Sequence, residues 1–208
     1  MQRLDPKRTA VVVVDIQERL AAVMPAEQRA RVERAARILI EGARVLGAPV
    51  IATEQYPKGL GPTLPPIAEL LKAADAPCFE KLAFSACDAS GFAERLTATG
   101  VTHAVVLGME THVCVYQTVR DLVGRGIEVH VPVDGVASRQ DDHREVGLAL
   151  CEKAGATRTT AETRDRIEIR HGRRDKALAA LRTTRLDAHV RTNAELVGQL
   201  QGVRAWPH

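Results

Sequence analysis

Three residues whose side chains could act together chemically lie far apart in the chain: Asp15, Lys81 and Cys114. Asp15 and Lys81 directly follow the short segments "TAVVVV" and "APCFE", and a third segment, "HAVVLG", leads into Cys114. A thiol is a weak nucleophile until it loses its proton, which a carboxylate can accept and which a nearby ammonium or a helix N-terminus helps to release. If the fold brings the three segments together, the sequence predicts a cysteine nucleophile.

The elements that must position these residues follow a repeating order. Short β-branched runs alternate with longer helical patterns, which is typical of βαβ units and a mainly parallel sheet. Six strands are predicted, at "TAVVVVDIQ", "APVIATEQ", "APCFEKL", "HAVVLG", "IEVHVPV" and "ATRTT". The predicted fold is α/β, a three-layer α/β/α sandwich with a six-stranded, mainly parallel sheet of Rossmann-like type. Ligands of such sheets bind at the carboxyl ends of the strands, where the three residues are expected.

The segments between the strands favour helices, with one exception. Helical patterns cover residues 30–46, the region near 67–72, "GFAERLTATG", the stretch after residue 110 and "DHREVGLALCEKAG". By contrast, "YPKGLGPTLPP" is rich in Gly and Pro and is predicted to be a loop. We interpret the chain as one domain over residues 1–208, with a core at about 8–160 and a charged helical extension over 161–208.

Composition narrows the choice of partners. The net charge is +3 and aromatic residues make up only 3% of the chain, so stacking surfaces for nucleic acid are scarce and no nucleic-acid partner is expected. No apolar run approaches the roughly 18 residues that a membrane helix needs, and no signal peptide is recognised, which predicts a cytoplasmic protein. The four cysteines lack C-x-x-C spacing, so neither a zinc site nor a disulfide framework is expected.

Each candidate residue also has a structural explanation. An isolated cysteine is more often a small buried apolar residue than a nucleophile, and Asp15 and Lys81 could be a helix cap and a solvated side chain. Two histidines, His112 and His143, lack a partner at metal spacing and are interpreted as surface or loop residues. The patterns around Cys78 and Cys151 place both in the core. No nucleotide-binding glycine motif is present, and no cofactor is expected.

Three segments, "VVVVDIQ", "FEKLAFSAC" and "GMETHVCVYQTVRDL", resemble the signature segments of the isochorismatase-like cysteine hydrolases. The resemblance covers about residues 8–160 in the same order and spacing, and "TEQYPKGLGPT" is most similar to the isochorismatase-domain-containing subgroup. It implies a catalytic triad of Asp15, Lys81 and Cys114. It also implies a cis peptide bond between Met109 and Glu110, with the N–H groups of Glu110 and Cys114 forming an oxyanion hole.

The same resemblance bears on metal and substrate. Nicotinamidases of this superfamily hold a metal with histidines after the second strand, whereas this chain has "TEQYPKGLG" there, so no metal is expected. Isochorismatases proper need no cysteine, and Cys114 therefore favours acyl transfer. From strand-end position and loop length we expect a small pocket with Gln55, Tyr56 and the "PKGLGPT" loop as one wall. Apolar surface would come from Phe84 and Met109.

The sequence therefore predicts a cysteine hydrolase that cleaves a carbon–nitrogen bond of a small amide or carbamoyl-like substrate through a thioester. Two alternatives remain: a non-catalytic interaction or scaffold protein with the same fold, and a thiol-redox protein that uses Cys114. Apolar residues of the tail, Ile167, Ile169 and Leu186, have no obvious place in a sheet already covered on both faces. We therefore expect a homo-oligomer, with a fold of the tail back over its own domain as the alternative.

Overall fold

The computed structural model describes residues 4–162, and the extension predicted for 161–208 lies almost wholly outside them. The strands are β1 (Thr9–Val14), β2 (Val50–Gln55), β3 (Cys78–Lys81), β4 (His103–Met109), β5 (Glu128–Pro132), β6 (Val136–Ala137) and β7 (Thr157–Thr159). All six predicted strands are confirmed. The two-residue β6 was not predicted, because it is too short to produce an apolar pattern.

The helices are α1 (Glu18–Ala22), α2 (Ala26–Leu46), α3 (Pro57–Leu60), α4 (Pro65–Ala73), α5 (Phe92–Ala98), α6 (Tyr116–Gly124) and α7 (Asp141–Lys153). The short helices α1 and α3 were not predicted, and α3 corrects the loop assigned to "YPKGLGPTLPP". Proline stands at the start of both α3 and α4, a position where its missing N–H costs nothing and its fixed φ suits a helix. Among residues 4–162, no helix is long and apolar enough to cross a membrane.

The sheet has the order β3-β2-β1-β4-β5-β7, with β6 paired to β4, and every pairing of strands is parallel. Its direction of winding reverses between β1 and β4, the position at which open α/β sheets bind ligands. Asp15 directly follows β1, and the chain leaving β4 leads to Cys114. The topology therefore brings two of the three candidate residues to the switch point.

Two apolar clusters cover the two faces of the sheet. Alternate residues of β1 divide between them: Val11 and Val13 pack with α2 and α4, while Val12 and Val14 pack with α5, α6 and α7. All six residues of β1 are buried, as expected for a central parallel strand. The three-layer α/β/α prediction is confirmed. One detail was wrong: Cys78, predicted in the core, is exposed because β3 is an edge strand.

Candidate active site

Asp15 lies in a turn that begins where β1 ends. Its φ of 51° falls in the left-handed region, which aspartate tolerates better than most residues with a Cβ. The carboxylate is fully buried, and its Oδ1 accepts a hydrogen bond of 2.8 Å from the Thr53 hydroxyl on β2. The other oxygen, Oδ2, lies 2.7 Å from Lys81 Nζ. The two oxygens are thus held by side chains from β2 and β3.

Lys81 is the last residue of β3, and its side chain is completely buried. Besides Asp15, its ammonium donates to Gln55 Oε1 at 2.8 Å and to the carbonyl of Phe84 at 2.9 Å. An ammonium has three N–H donors, and these three short bonds use all of them. Lys81 therefore fixes the charge and geometry of Asp15, and it has no free proton to offer a ligand in this arrangement.

Cys114 lies in a π-helical turn, Thr111–Val115, that precedes α6. In this turn the N–H of Val115 donates to the carbonyl of Glu110, five residues earlier, at 3.2 Å. Such widened turns are rare and are frequent at functional sites. The buried thiol lies close enough to the side chains of Asp15 and Lys81 for both of their charges to shift its pKa. The structure thus brings all three predicted residues together at the carboxyl end of the sheet.

The surroundings of Cys114 determine whether its thiol is charged in the resting site. Burial, and after it the negative charge of Asp15, raise the pKa of Cys114 to about 12, although Lys81 acts in the opposite direction. Burial also raises the pKa of Asp15, against the lowering effects of Lys81 and of the hydrogen bonds it accepts. The resting nucleophile is therefore a neutral thiol, because removal from water disfavours an anion more than one shared cation favours it.

The peptide bond between Met109 and Glu110 is cis. The Glu110 carboxylate points toward the loop after β6, where its Oε2 accepts from both the N–H and Nε of Arg139 at 3.1 Å. Gly108 precedes this segment with a φ of 134°, and a Cβ there would lie 1.9 Å from the carbonyl oxygen of Val14. The close approach of the ends of β1 and β4 thus depends on a glycine.

We predict that Gly108→Ala severely destabilises the protein, because the added methyl collides with rigid backbone and the left-handed φ disfavours any side chain. The free energy of unfolding, measured by urea denaturation, should fall by about 3 kcal/mol or more. Gly124→Ala is the matched control, since a Cβ at that helical glycine meets nothing within 4 Å and should not destabilise. Equal stability of Gly108→Ala and wild type would contradict the packing described above.

Of the residues expected to line the pocket, two are exposed and two are buried. Tyr56 and Phe84 are each 50% exposed and follow β2 and β3 closely, so they are available to a ligand. Gln55 is mostly buried and its amide binds Lys81 and the carbonyl of Leu82. Met109 corrects the prediction: it is fully buried in the cluster on the α2 face, opposite the cluster that contains Cys114. The alternation of β4 side chains directs it away.

The two histidines that were interpreted as surface or loop residues are neighbours on helical segments. Their rings are 4.7 Å apart, and His112 Nδ1 lies 3.1 Å from Ser138 Oγ, which also accepts from the N–H of Thr111. Burial lowers the pKa of His112. Nowhere between residues 4 and 162 do three or more His, Cys, Asp or Glu residues form a group that could hold a metal ion. The absence of a metal requirement stays a prediction.

Two site residues were missed in the sequence. Thr53 bonds to Asp15, and Gln17 binds the backbone of Gln55 through both ends of its amide. Each could have been recognised as an unusual polar residue. Thr53 carries a hydroxyl in the otherwise apolar run "VIAT", and Gln17 is a polar residue that closely follows a fully buried strand. Buried polar groups are nearly always hydrogen-bonded, so their partners could have been sought among the strand ends.

Comparison with known proteins identifies relatives of this arrangement. The isochorismatase domain model matches residues 9–163. Isochorismatase domain-containing protein 1 of Danio rerio is 41% identical over 125 residues, which cover 60% of this chain and 43% of that protein. This chain thus spans less than half of that relative's length.

Solved structures of other proteins share the fold of this chain. The MAR1 ribonuclease of Caenorhabditis elegans superposes with a TM-score of 0.78 at 36% identity, covering 88% of this chain and 94% of its own. The YcaC gene product of Escherichia coli, described as an octameric hydrolase of unknown specificity, gives a TM-score of 0.81 at 24% identity over 96% of each chain. The second likeness concerns the fold alone.

Proposed function

The chain belongs to the isochorismatase family, and from that premise we propose that it is a cysteine hydrolase acting on a carbon–nitrogen bond of a small amide or carbamoyl-like compound. The observation that carries the proposal is the completely buried ion pair of Asp15 and Lys81, close to the Cys114 thiol at the switch point of the sheet. A carboxylate, a cation and a thiol in one dry site match the requirements of nucleophilic acyl transfer. The proposed catalytic residues are Asp15, Lys81 and Cys114.

The first half of the reaction forms a thioester. Because the resting thiol is neutral, Asp15 accepts the Cys114 proton as the sulfur attacks the substrate carbonyl, and not beforehand. The developing oxyanion accepts hydrogen bonds from the backbone N–H groups of Glu110 and Cys114, the role proposed for them from the family resemblance. As the tetrahedral intermediate collapses, the carbon–nitrogen bond breaks. Asp15 returns its proton to the departing nitrogen, which leaves as an amine or ammonia.

The second half restores the enzyme. Asp15 accepts a proton from a water molecule, whose oxygen attacks the thioester carbonyl, and the carbon–sulfur bond breaks to release the carboxylic or carbamic acid. The Cys114 sulfur regains the proton held by Asp15. Throughout both halves Lys81 keeps the same three acceptors and offsets whichever negative charge the site carries.

A substrate panel tests the proposal directly. Small amides, ureas and carbamates are incubated with the wild type, Cys114→Ser and Cys114→Ala, and release of ammonia or amine is measured. We expect turnover of at least one panel member by the wild type and none above background by either variant. Cys151→Ser is the matched control, because Cys151 is buried in α7 outside the triad. Turnover that survives in Cys114→Ala would remove the cysteine mechanism.

The panel includes single-stranded RNA, because one similar structure carries the name ribonuclease. The absence of a nucleic-acid partner is a prediction from composition. RNA cleavage by the wild type that is lost in Cys114→Ala would assign the triad to a different bond. A wild type inert toward every compound in the panel would instead favour the interaction or scaffold protein.

We further propose a cytoplasmic homo-oligomer. A fold neighbour is described as octameric, whereas the tail residues Ile167, Ile169 and Leu186, from which assembly was predicted, lie outside the described residues. Light scattering at micromolar concentration should give a mass that is a multiple of 22.6 kDa. If the tail forms the interface, Ile167→Asp or Ile169→Asp reduces the mass to that of the monomer. A monomeric wild type would contradict the proposal.

A further inference from the structure

The side-chain amide of Gln55 lies between Lys81 and the chain that follows it. Its Oε1 accepts from Lys81 Nζ at 2.8 Å, and its Nε2 donates to the carbonyl of Leu82 at 2.8 Å. Only one orientation of the amide satisfies both contacts, because an ammonium can only donate and a carbonyl can only accept. A reversed amide would place two donors against each other at a buried site.

The backbone of Gln55 is held as firmly as its side chain. Gln17, fully buried after β1, accepts from the Gln55 N–H at 2.8 Å and donates to the Gln55 carbonyl at 3.1 Å. The same Gln17 amide donates to the carbonyl of Gly61 at 2.6 Å, so it also anchors the segment after α3. The ends of β1, β2 and β3 are thereby joined through two glutamine amides.

This arrangement leaves Gln55 little capacity for a ligand. The residue is 9% exposed, its side-chain oxygen is bound to an ammonium, and one N–H of its side-chain amide is bound to a main-chain carbonyl. By contrast, the Lys81 ammonium has only three short acceptors: Asp15, Gln55 and the carbonyl of Phe84. Removing one of the three would leave a buried N–H of the ammonium with only the longer contact to the carbonyl of Ala83, at 3.4 Å.

We propose that Gln55 is a positioning residue that holds the Lys81 ammonium in place beside Asp15, and not a wall of the substrate pocket. The positioning of Lys81 by Gln55 does not depend on the proposed function, but its effect on catalysis does. A correctly placed Lys81 lowers the pKa of both Asp15 and Cys114 relative to a site without it. Gln55 therefore acts on the nucleophile through Lys81 and without touching the substrate.

The test uses two variants of similar size. Gln55→Met removes the acceptor and keeps the volume, whereas Gln55→Glu keeps an acceptor for Lys81. The full-length chain carries Cys78→Ser throughout, because Cys78 is exposed and would consume thiol reagent. Trace acetylation by acetic anhydride at pH 8, read by peptide mass spectrometry against the exposed Lys72, measures how readily the Lys81 amine leaves its buried acceptors and reacts. The rate at which iodoacetamide alkylates Cys114 measures the reactivity of its thiol.

We expect Lys81 acetylation to rise about tenfold or more in Gln55→Met, the change that loss of one hydrogen bond to a charged group produces, and to stay near wild type in Gln55→Glu. The alkylation rate of Cys114 should fall in Gln55→Met. Unchanged acetylation of Lys81 in Gln55→Met would overturn the inference, whatever the alkylation rate of Cys114. An equal rise in Lys81 acetylation in Gln55→Met and Gln55→Glu would overturn it as well. Thermal melts confirm that each variant is folded, and Gln55→Leu replaces Gln55→Met if that variant is not.

The proposed function can fail separately. If wild-type Cys114 reacts no faster than Cys114 in Lys81→Met, the lysine does not activate the thiol and the cysteine mechanism loses its support. A rise in Lys81 acetylation in Gln55→Met would still support the positioning role. If substrate contact were the true role of Gln55, Gln55→Met would raise KM on the active panel compound while both labelling rates matched wild type.

Discussion

Replacing Asp15 by asparagine should abolish amide hydrolysis and at the same time make Cys114 more reactive toward a simple alkylating agent. Hydrolysis should fall by a factor of about 10² to 10⁴, the usual contribution of a general acid and base. The thiol, however, loses the anionic neighbour that raises its pKa and keeps Lys81, which lowers it. The Cys114 thiolate then becomes the counterion of the buried ammonium, and its pKa should fall well below about 12.

Iodoacetamide alkylation as a function of pH, in the Cys78→Ser background, measures this directly. In the wild type the rate should rise steadily with pH up to 9 without a plateau, because the thiol pKa is about 12. In Asp15→Asn the rate at pH 8 should be at least about tenfold higher, which corresponds to a pKa lower by one unit. If Asp15→Asn is alkylated faster and also loses hydrolysis, Asp15 acts as a proton acceptor and not merely as a structural carboxylate.

Thr53→Val is the control for this experiment. It removes the hydrogen bond to Asp15 Oδ1 but leaves the charge of Asp15 in place, so alkylation of Cys114 should not accelerate. If Asp15→Asn reacts with iodoacetamide more slowly than wild type, Asp15 promotes ionisation of the resting thiol. The proton transfer during attack proposed above would then be wrong.

Most of the fold was predictable because its signals are local and repetitive. The six strands that were predicted are runs of apolar or β-branched residues, and burial on both faces selects such runs wherever a strand is central. The elements that were missed are short: β6 has two residues, α3 has four and α1 has five. Their positions depend on tertiary contacts, such as the bond from Arg19 Nη1 to the carbonyl of Gly59 that links α1 with α3.

The site was less predictable because its chemistry depends on geometry. Strand ends indicated which side chains would meet, but they could not show that Met109 points to the α2 face or that Gln55 faces Lys81. Nor could sequence rank burial against the nearby cation in setting the pKa of Cys114. That ranking needs the surroundings of the sulfur, which are dry and include Asp15.

Lys81→Met should give the largest loss of stability of any conservative substitution at the site. The ion pair with Asp15 has both side chains completely buried, and removal of one partner from such a pair costs about 3–5 kcal/mol because a buried charge is left uncompensated. Urea denaturation at pH 8 should show this decrease in the free energy of unfolding. Arg31→Met, which breaks an exposed pair with Glu27, is the control and should change stability by less than about 1 kcal/mol.

The loss should depend on pH in one direction. Lys81 lowers the pKa of Asp15, so in Lys81→Met the folded-state pKa rises further above the unfolded value, which is near 3.8. A group whose folded pKa is raised contributes stability that is present at low pH and is lost as pH rises through that pKa. The stability difference between Lys81→Met and wild type should therefore be smaller at pH 5 than at pH 8.

Adding Asp15→Asn to Lys81→Met provides the decisive comparison. The double variant also removes the Asp15 carboxylate that Lys81→Met leaves without its cation. A protein with a neutral pair in place of a buried ion pair is often as stable as the original. The double variant should recover most of the stability lost in Lys81→Met and remove the difference between pH 5 and pH 8, while remaining inactive in hydrolysis. If the two substitutions instead destabilise additively, Asp15 and Lys81 do not interact across the buried site, and the charge balance assigned to the triad fails with them.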